Sequence, residues 1–237
     1  MDSREILERD LASCIDAQMK RVAEWHMVES DSDMGVYSDA SGDVLLRLVL
    51  HQHRMNFLLW HVEDVARRED VDSSVIADCK RRIDILNQRR NDAMEEVDAY
   101  LVTRFARFLP QSLPGGRVRY NTESLGMAID RLSILALKIF HMAEQVNRID
   151  ADEEHRIACA AKLMSIEEQR TDLATAVFDL IEDFYSGVKC PRGYNQFKMY
   201  NDPALNPELY AKGNTCRIHM SGEAKPLPNT YLAKGSA

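Results

Sequence analysis

Apolar residues recur at intervals of three and four along most of the chain, a period that predicts helices and no strands. Leu7, Leu11, Ile15, Met19, Val22 and Trp25 mark a first helix that Ser3 can cap. Glu29 to Gly42 is rich in Asp and Ser, lacks any period, and reads as a solvated linker. A second helix follows from about Asp43 to Glu69, with Val44, Leu48, Met55, Leu58, Val62 and Val65 on one stripe and further apolar residues beside it. A helix apolar on more than one side belongs at the centre of a bundle. Past the turn at Asp70 to Ser73, a third helix runs to about Phe108 on the stripe Ile76, Cys79, Ile83, Leu86, Arg90, Ala93, Val97 and Tyr100. Two prolines and Gly115-Gly116 break the pattern between Leu109 and Asn121. The fourth helix starts near Thr122 and carries Leu125, Ile129, Leu132, Ala136, Ile139, Ala143 and Val146. After a turn at Asp150 to Glu153, the fifth reaches about Tyr185, with Cys159, Leu163, Ile166, Leu173, Val177 and Leu180 inward. Beyond Gly187, prolines and glycines end the period. Tyr194, Phe197, Tyr200 and Tyr210 then suggest an aromatic strap laid on the bundle, with a loose tail after about Gly213.

Shifting the chain on itself by 80 residues superposes the second and third helices on the fourth and fifth. His61 falls on His141, Arg68 on Arg148, Asp70 on Asp150, Asp72 on Asp152 and Cys79 on Cys159. Arg90 also meets Arg170, Asp92 meets Asp172 and Val97 meets Val177, where composition alone would give roughly three matches. The predicted fold is therefore all-α: a four-helix bundle made of two duplicated helical hairpins, with an N-terminal helix and an irregular C-terminal strap. Residues 1–42 form the N-terminal helix and linker, 43–187 the bundle, and 188–237 the strap and tail.

Composition narrows the function classes. Thirty Lys and Arg against 38 Asp and Glu give a net charge of −8, which argues against nucleic acid as a partner. No apolar run approaches the ~20 residues that span a bilayer, and the first residues do not resemble a signal peptide. Five widely spaced cysteines look like thiols kept reduced in a cytoplasm rather than a disulfide framework. Cys216 and His219 alone cannot supply the four ligands of a structural zinc site.

Candidate chemistry gathers on the duplicated positions. Arg90 and Arg170 sit on apolar stripes, where a guanidinium needs a carboxylate and further acceptors. Gln52, Asn56 and Glu63 lie on a core-facing line of the second helix. His61 shares a face with Asp64, and His141 with Glu144, one turn apart. Asn56, Asp64, Arg90, Glu144 and Arg170 are the candidate ligand-binding residues, and His61 and His141 the candidate general bases near neutral pH. Asp64, Asp92, Glu144 and Asp172 complete the census of a di-iron carboxylate bundle, but His61 and Asp92 fall about 20 Å apart along the axis. No metal site is assigned, and the cofactor stays open. An inverted second hairpin is preferred, because it sets His61 and Asp64 level with Arg170, and His141 and Glu144 level with Arg90.

Several segments in order resemble the bacterial family catalogued as domain of unknown function 4254. They include Trp60-His61-Val62-Glu63-Asp64, Asn87-Gln88-Arg89-Arg90-Asn91-Asp92, Ile129-Asp130-Arg131-Leu132-Ser133, Lys138-Ile139-Phe140-His141-Met142 and Glu168-Gln169-Arg170-Thr171-Asp172. The resemblance runs from about Leu45 to Tyr210, and the N-terminal helix, its linker and the tail depart from it. It implies an all-α cytoplasmic protein, often encoded near glycosyltransferases for envelope polysaccharides, with no activity to transfer. Two functions follow. The favoured one is a non-catalytic helper or regulator of envelope glycan synthesis that works through its helical surfaces or its aromatic strap, with a protein of glycan synthesis as the expected partner and a homo-oligomer as a separate expectation. The alternative is an enzyme or small-ligand binder whose core network holds a phosphate, a nucleotide or a metal. Whether the protein is an enzyme stays open, since no glycine-rich phosphate loop, nucleophile elbow or His-Glu-x-x-His motif is present.

Overall fold

The structure, a computed structural model, describes residues 3–27, 43–109, 118–197, 199 and 202–210. These contain α1 (Ser3–Met27), α2 (Val44–Ala66), α3 (Ser73–Phe105), α4 (Leu125–Val146), α5 (Glu153–Tyr185) and the short α6 (Pro207–Tyr210). No strand occurs among the described residues. The Asp/Ser linker and the tail lie outside them, as do Tyr200 and most of the Pro/Gly connection before α4.

Local chemistry sets the helix ends. Asp43, Ser124 and Asp152 accept hydrogen bonds from the amides of Leu46, Met127 and His155, each capping a helix N-terminus. Gly187 ends α5 at φ 71, a left-handed conformation that side chains resist. The two hairpin turns repeat one device. Arg68 grips Asp70 at 2.9 and 2.7 Å, and Arg148 grips Asp150 at 3.1 and 2.7 Å. Both hairpins pair a shorter helix with one of 33 residues.

The inverted arrangement is overturned. Across the interface between α2 and α4, Gln52 meets Asp130, Asn56 meets Ser133, and Trp60 stacks on His141. Residue numbers rise together on both helices, so α2 and α4 are parallel and both turns share one end. Along α3 and α4 they run oppositely, since Asp98 holds Gly126 while Arg90 holds Asp130. The connection before α4 therefore has no need to cross the bundle. Inversion is needed only if each core arginine draws its carboxylate from a His/carboxylate pair of the other hairpin, and Arg90 instead takes Asp130.

Helix α1 is more than an appendage. It runs parallel to α2 and α4 and packs on both, with Gln18 reaching Ile129 and Trp25 against His53 and Phe57. One apolar cluster joins Leu7, Leu11 and Ile15 of α1 to Leu45, Leu101, Ile129 and Ile181. A second joins Val22 to Met55, Leu86 and Leu137 nearer the turns. Helix α2 buries residues on several sides, as its sequence requires. Between Glu153 and Ala176, by contrast, α5 buries only Cys159.

After Gly187, the chain returns over the bundle through backbone contacts more than aromatic packing. Cys190 donates its amide to Arg119 at 2.8 Å, and Gln196 donates its amide to Glu95 at 2.7 Å. Tyr194 lies beneath the Arg192 guanidinium and Phe197 is 83% exposed, so neither of these two aromatics is buried as expected of the strap. Residues up to Phe197 form one unit. The second unit includes α6, where Asn206 accepts the Glu208 amide at 3.0 Å and Leu209 and Tyr210 are exposed.

The start of α4 is fixed by close approach. A Cβ on Gly126 would stand 2.6 Å from the Met94 carbonyl oxygen and 2.9 Å from the Asp98 carboxylate, which accepts the Gly126 amide at 2.7 Å. Gly126→Ala should cost about 1–3 kcal/mol by overpacking. Equilibrium urea unfolding checks this, and a loss below the measurement error would mean that α4 shifts freely.

Candidate functional site

The centre of the bundle holds a continuous polar network, built around the buried carboxylate of Asp130 on α4. Arg90 of α3 grips it side-on through one edge of its guanidinium, Nε and Nη2, the Nε bond measuring 2.8 Å. Gln52 and Asn56 of α2 donate to the same carboxylate, Asn56 at 2.9 Å. Asn56 also donates to Ser133 Oγ at 2.9 Å. Ser133 Oγ lies 2.6 Å from His53 Nδ1, and His53 Nε2 lies 2.9 Å from the Gln18 carbonyl oxygen. A carbonyl only accepts, so Nε2 carries the proton and Nδ1 accepts from the Ser133 hydroxyl. Burial pushes the His53 pKa down to about 3, against the pull of the Gln18 carbonyl. The imidazole is therefore neutral. The hydrogen bonds to Asp130 raise the pKa of Arg90 and keep it charged.

The second core arginine behaves differently. Arg170 donates to the Ile15 carbonyl of α1 at 2.6 Å, and burial lowers its pKa while nearby Asp16 partly restores it. Among the described residues, no His/carboxylate pair meets either arginine. His141 lies eleven residues beyond Asp130 on α4, about 16 Å along the axis. The expected clusters that combine histidine, carboxylate and arginine are thus split into two layers. Asp64, Glu144, Asp92 and Asp172 are exposed, and Asp92 accepts from Gln88 at 2.7 Å.

At the turn end, the two candidate bases come together. His61 and His141 have ring centroids 5.8 Å apart, and His26 of α1 completes a triangle at 5.0 and 4.9 Å. His141 Nδ1 donates to Glu144 at 2.7 Å. Trp60 stacks on His141, and beside it opens a cleft of about 390 Å³ lined by Asn56, Asp64, Arg67, Asn87 and Arg90. That volume suits a small ligand. It collects Asn56, Asp64 and Arg90, but not Glu144 or Arg170.

Sequence reasoning missed Asp130, Ser133, His53, Gln18 and His26. The signal was partly present. Gln18 lies one turn from Ile15 and from Val22, beside Met19 on the apolar face of α1, and Asp130 and Ser133 lie beside the stripe of α4.

Two stability experiments follow. Asp130→Ala strands Arg90 and should cost about 3–5 kcal/mol, with much of the loss recovered in the Arg90→Leu, Asp130→Leu double variant. Arg170→Leu removes only a bond to a mid-helix carbonyl that keeps its own helical donor, so about 1 kcal/mol is expected. Denaturant midpoints of the three variants decide between these ranks. For His53, the folded pKa lies below the unfolded one. Its contribution is complete above about pH 6.5 and is lost as pH falls toward about 3, by at most about 1.4 kcal/mol per pH unit. Urea melts at about pH 7 and about pH 4.5 should show this slope in the parent chain and a smaller one in His53→Gln. Equal slopes would mean that His53 titrates freely.

No curated protein and no solved structure matches the chain. The family described as "Protein of unknown function (DUF4254)" matches residues 46–192. This span takes in α2 to α5 and the start of the strap, and leaves out α1 with Gln18 and His26. Because it covers more than half of the chain, the protein belongs to that family.

Proposed function

We propose that the protein is a non-catalytic helper that docks a helical protein partner along the outer face of α5. The observation behind this reading is the second apolar side of that helix. Ile157, Ala161 and Met164 recur at the spacing of one helical face, and Ile157 and Met164 are 63% and 70% exposed. A shallow groove of about 410 Å³ runs beside them, between Met142 of α4 and Ser165 and Ile166 of α5. Contiguous exposed apolar surface marks interaction sites, and a groove along a helix pair suits an amphipathic helix. The core network supports the same reading, because Arg90 already spends its bidentate edge on Asp130 and leaves a weakened grip for an anion. The family's resemblance directs the search for the partner to cytoplasmic proteins of bacterial envelope-polysaccharide synthesis, glycosyltransferases first.

A second reading, an enzyme or small-ligand binder, draws on the cleft beside Trp60. Its anion would meet Arg67 and the outer edge of Arg90, while Glu63 and Asp64 on the same wall oppose it.

Ile157→Lys and Met164→Lys should leave the thermal midpoint nearly unchanged, since both side chains are exposed. In cells, the doubly substituted chain should lose a cross-linked glycan-synthesis protein that the parent chain retains, read by quantitative mass spectrometry. If no such protein depends on these residues, or only a second copy of the chain does, the helper reading fails.

A further inference from the structure

Three parallel helices each bring one imidazole to the end of the bundle where both hairpins turn. The ring nitrogens of His26, His61 and His141 that could ligate one ion lie within 4.8 Å of one another, on half-buried side chains. Hydrogen bonds set two of the tautomers. His26 Nδ1 stands 2.7 Å from the Val22 carbonyl oxygen and must donate to it. His141 Nδ1 likewise donates to the Glu144 carboxylate at 2.7 Å. In both rings the lone pair is therefore left on Nε2. Both Nε2 atoms are buried, and neither has a hydrogen-bond partner among the described residues. Ring packing accounts for the aromatic shell: Phe140 lies on His26 at 4.2 Å, Trp60 on His141 at 4.7 Å, and Phe57 against His61 at 4.6 Å. It does not account for two shielded acceptors without donors.

We propose that His26, His61 and His141 form a binding site for one divalent transition-metal ion of the zinc class, with Glu144 as a positioning residue for His141. Neutral imidazoles suit zinc and its neighbours, and three protein ligands leave a coordination position for water. Tetrahedral geometry at about 2.0–2.1 Å needs nitrogens about 3.3–3.4 Å apart, which modest side-chain rotations supply. The second ring N–H of a metal-bound histidine characteristically goes to a backbone carbonyl or a carboxylate. The bonds from His26 to Val22 and from His141 to Glu144 have this form. The ion would tie α1 to α2 and α4. It does not depend on the docking face of α5, and one ligand comes from outside the family match.

Zinc chloride titrated calorimetrically into the full-length, untagged, chelator-stripped chain should bind at one ion per chain. His26→Gln, His61→Gln and His141→Gln should each weaken binding beyond the about 10–100-fold that loss of an outer partner costs, and Glu144→Gln should fall within that range. His155→Gln, whose ring contacts Cys159, should bind like the parent. Cobalt bound to the parent chain should show the visible bands of a tetrahedral nitrogen site without thiolate charge transfer, a readout independent of how the variants fold. Absence of stoichiometric binding, unchanged binding in all three histidine variants, a thiolate signature, or loss of binding in His155→Gln would each overturn the site.

Discussion

A single buried carboxylate fixes how three helices of this bundle meet. Asp130 must be neutralised where water cannot reach it, and the donors that do so come from α3 and from two adjacent turns of α2. Slipping α4 by one turn against either neighbour would strand both Asp130 and Arg90 in the core. Such a register error costs several kcal/mol, whereas an apolar core tolerates sliding far better. The network gives the bundle one arrangement among several that leucine packing alone would permit. The Ser133 and His53 links extend that constraint to α1 through Gln18.

The duplication explains why the two halves differ as much as why they agree. Equivalent positions face each other across the bundle, as with His53 against Ser133 and His61 against His141. The residue equivalent to Asp130 in the first hairpin is Leu50. Arg170 consequently has no carboxylate of the kind that serves Arg90, and a backbone carbonyl of α1 takes that place. Helix α1 thus completes one side of a repeated unit that cannot satisfy its own second arginine.

The helices were legible because each has an apolar stripe of the right period and a capping residue or breaker at its ends. The repeat was legible because Arg68-Asp70 and Arg148-Asp150 clip both turns in the same way. Topology was not, since it hung on which carboxylate Arg90 would find. Periodicity ranks Asp130 as one polar residue on a helix that is apolar on several sides and does not say that α3 will meet it there. His26 was invisible for a similar reason. It stands near the end of α1, and only the packing of α1 against both hairpins brings it to His61 and His141.

Packing demand also falls along the bundle in a way that bears on function. Near Asp130 the side chains of Arg90, Gln52, Asn56, Ser133 and His53 hydrogen-bond to one another or to Asp130, so a ligand there would have to displace an existing partner. Toward the turns the commitment loosens. From Ser73 to Ile85 α3 buries only Cys79, and from Glu153 to Ala176 α5 buries only Cys159. Long helices need not project beyond their core to stabilise it, since most helical stability comes from a packed face. Surface apolar residues and inward-facing imidazoles therefore accumulate in the region where folding constrains sequence least. Both core arginines serve the fold, Arg90 through Asp130 and Arg170 through the Ile15 carbonyl, and the turn end is where the fold constrains its side chains least.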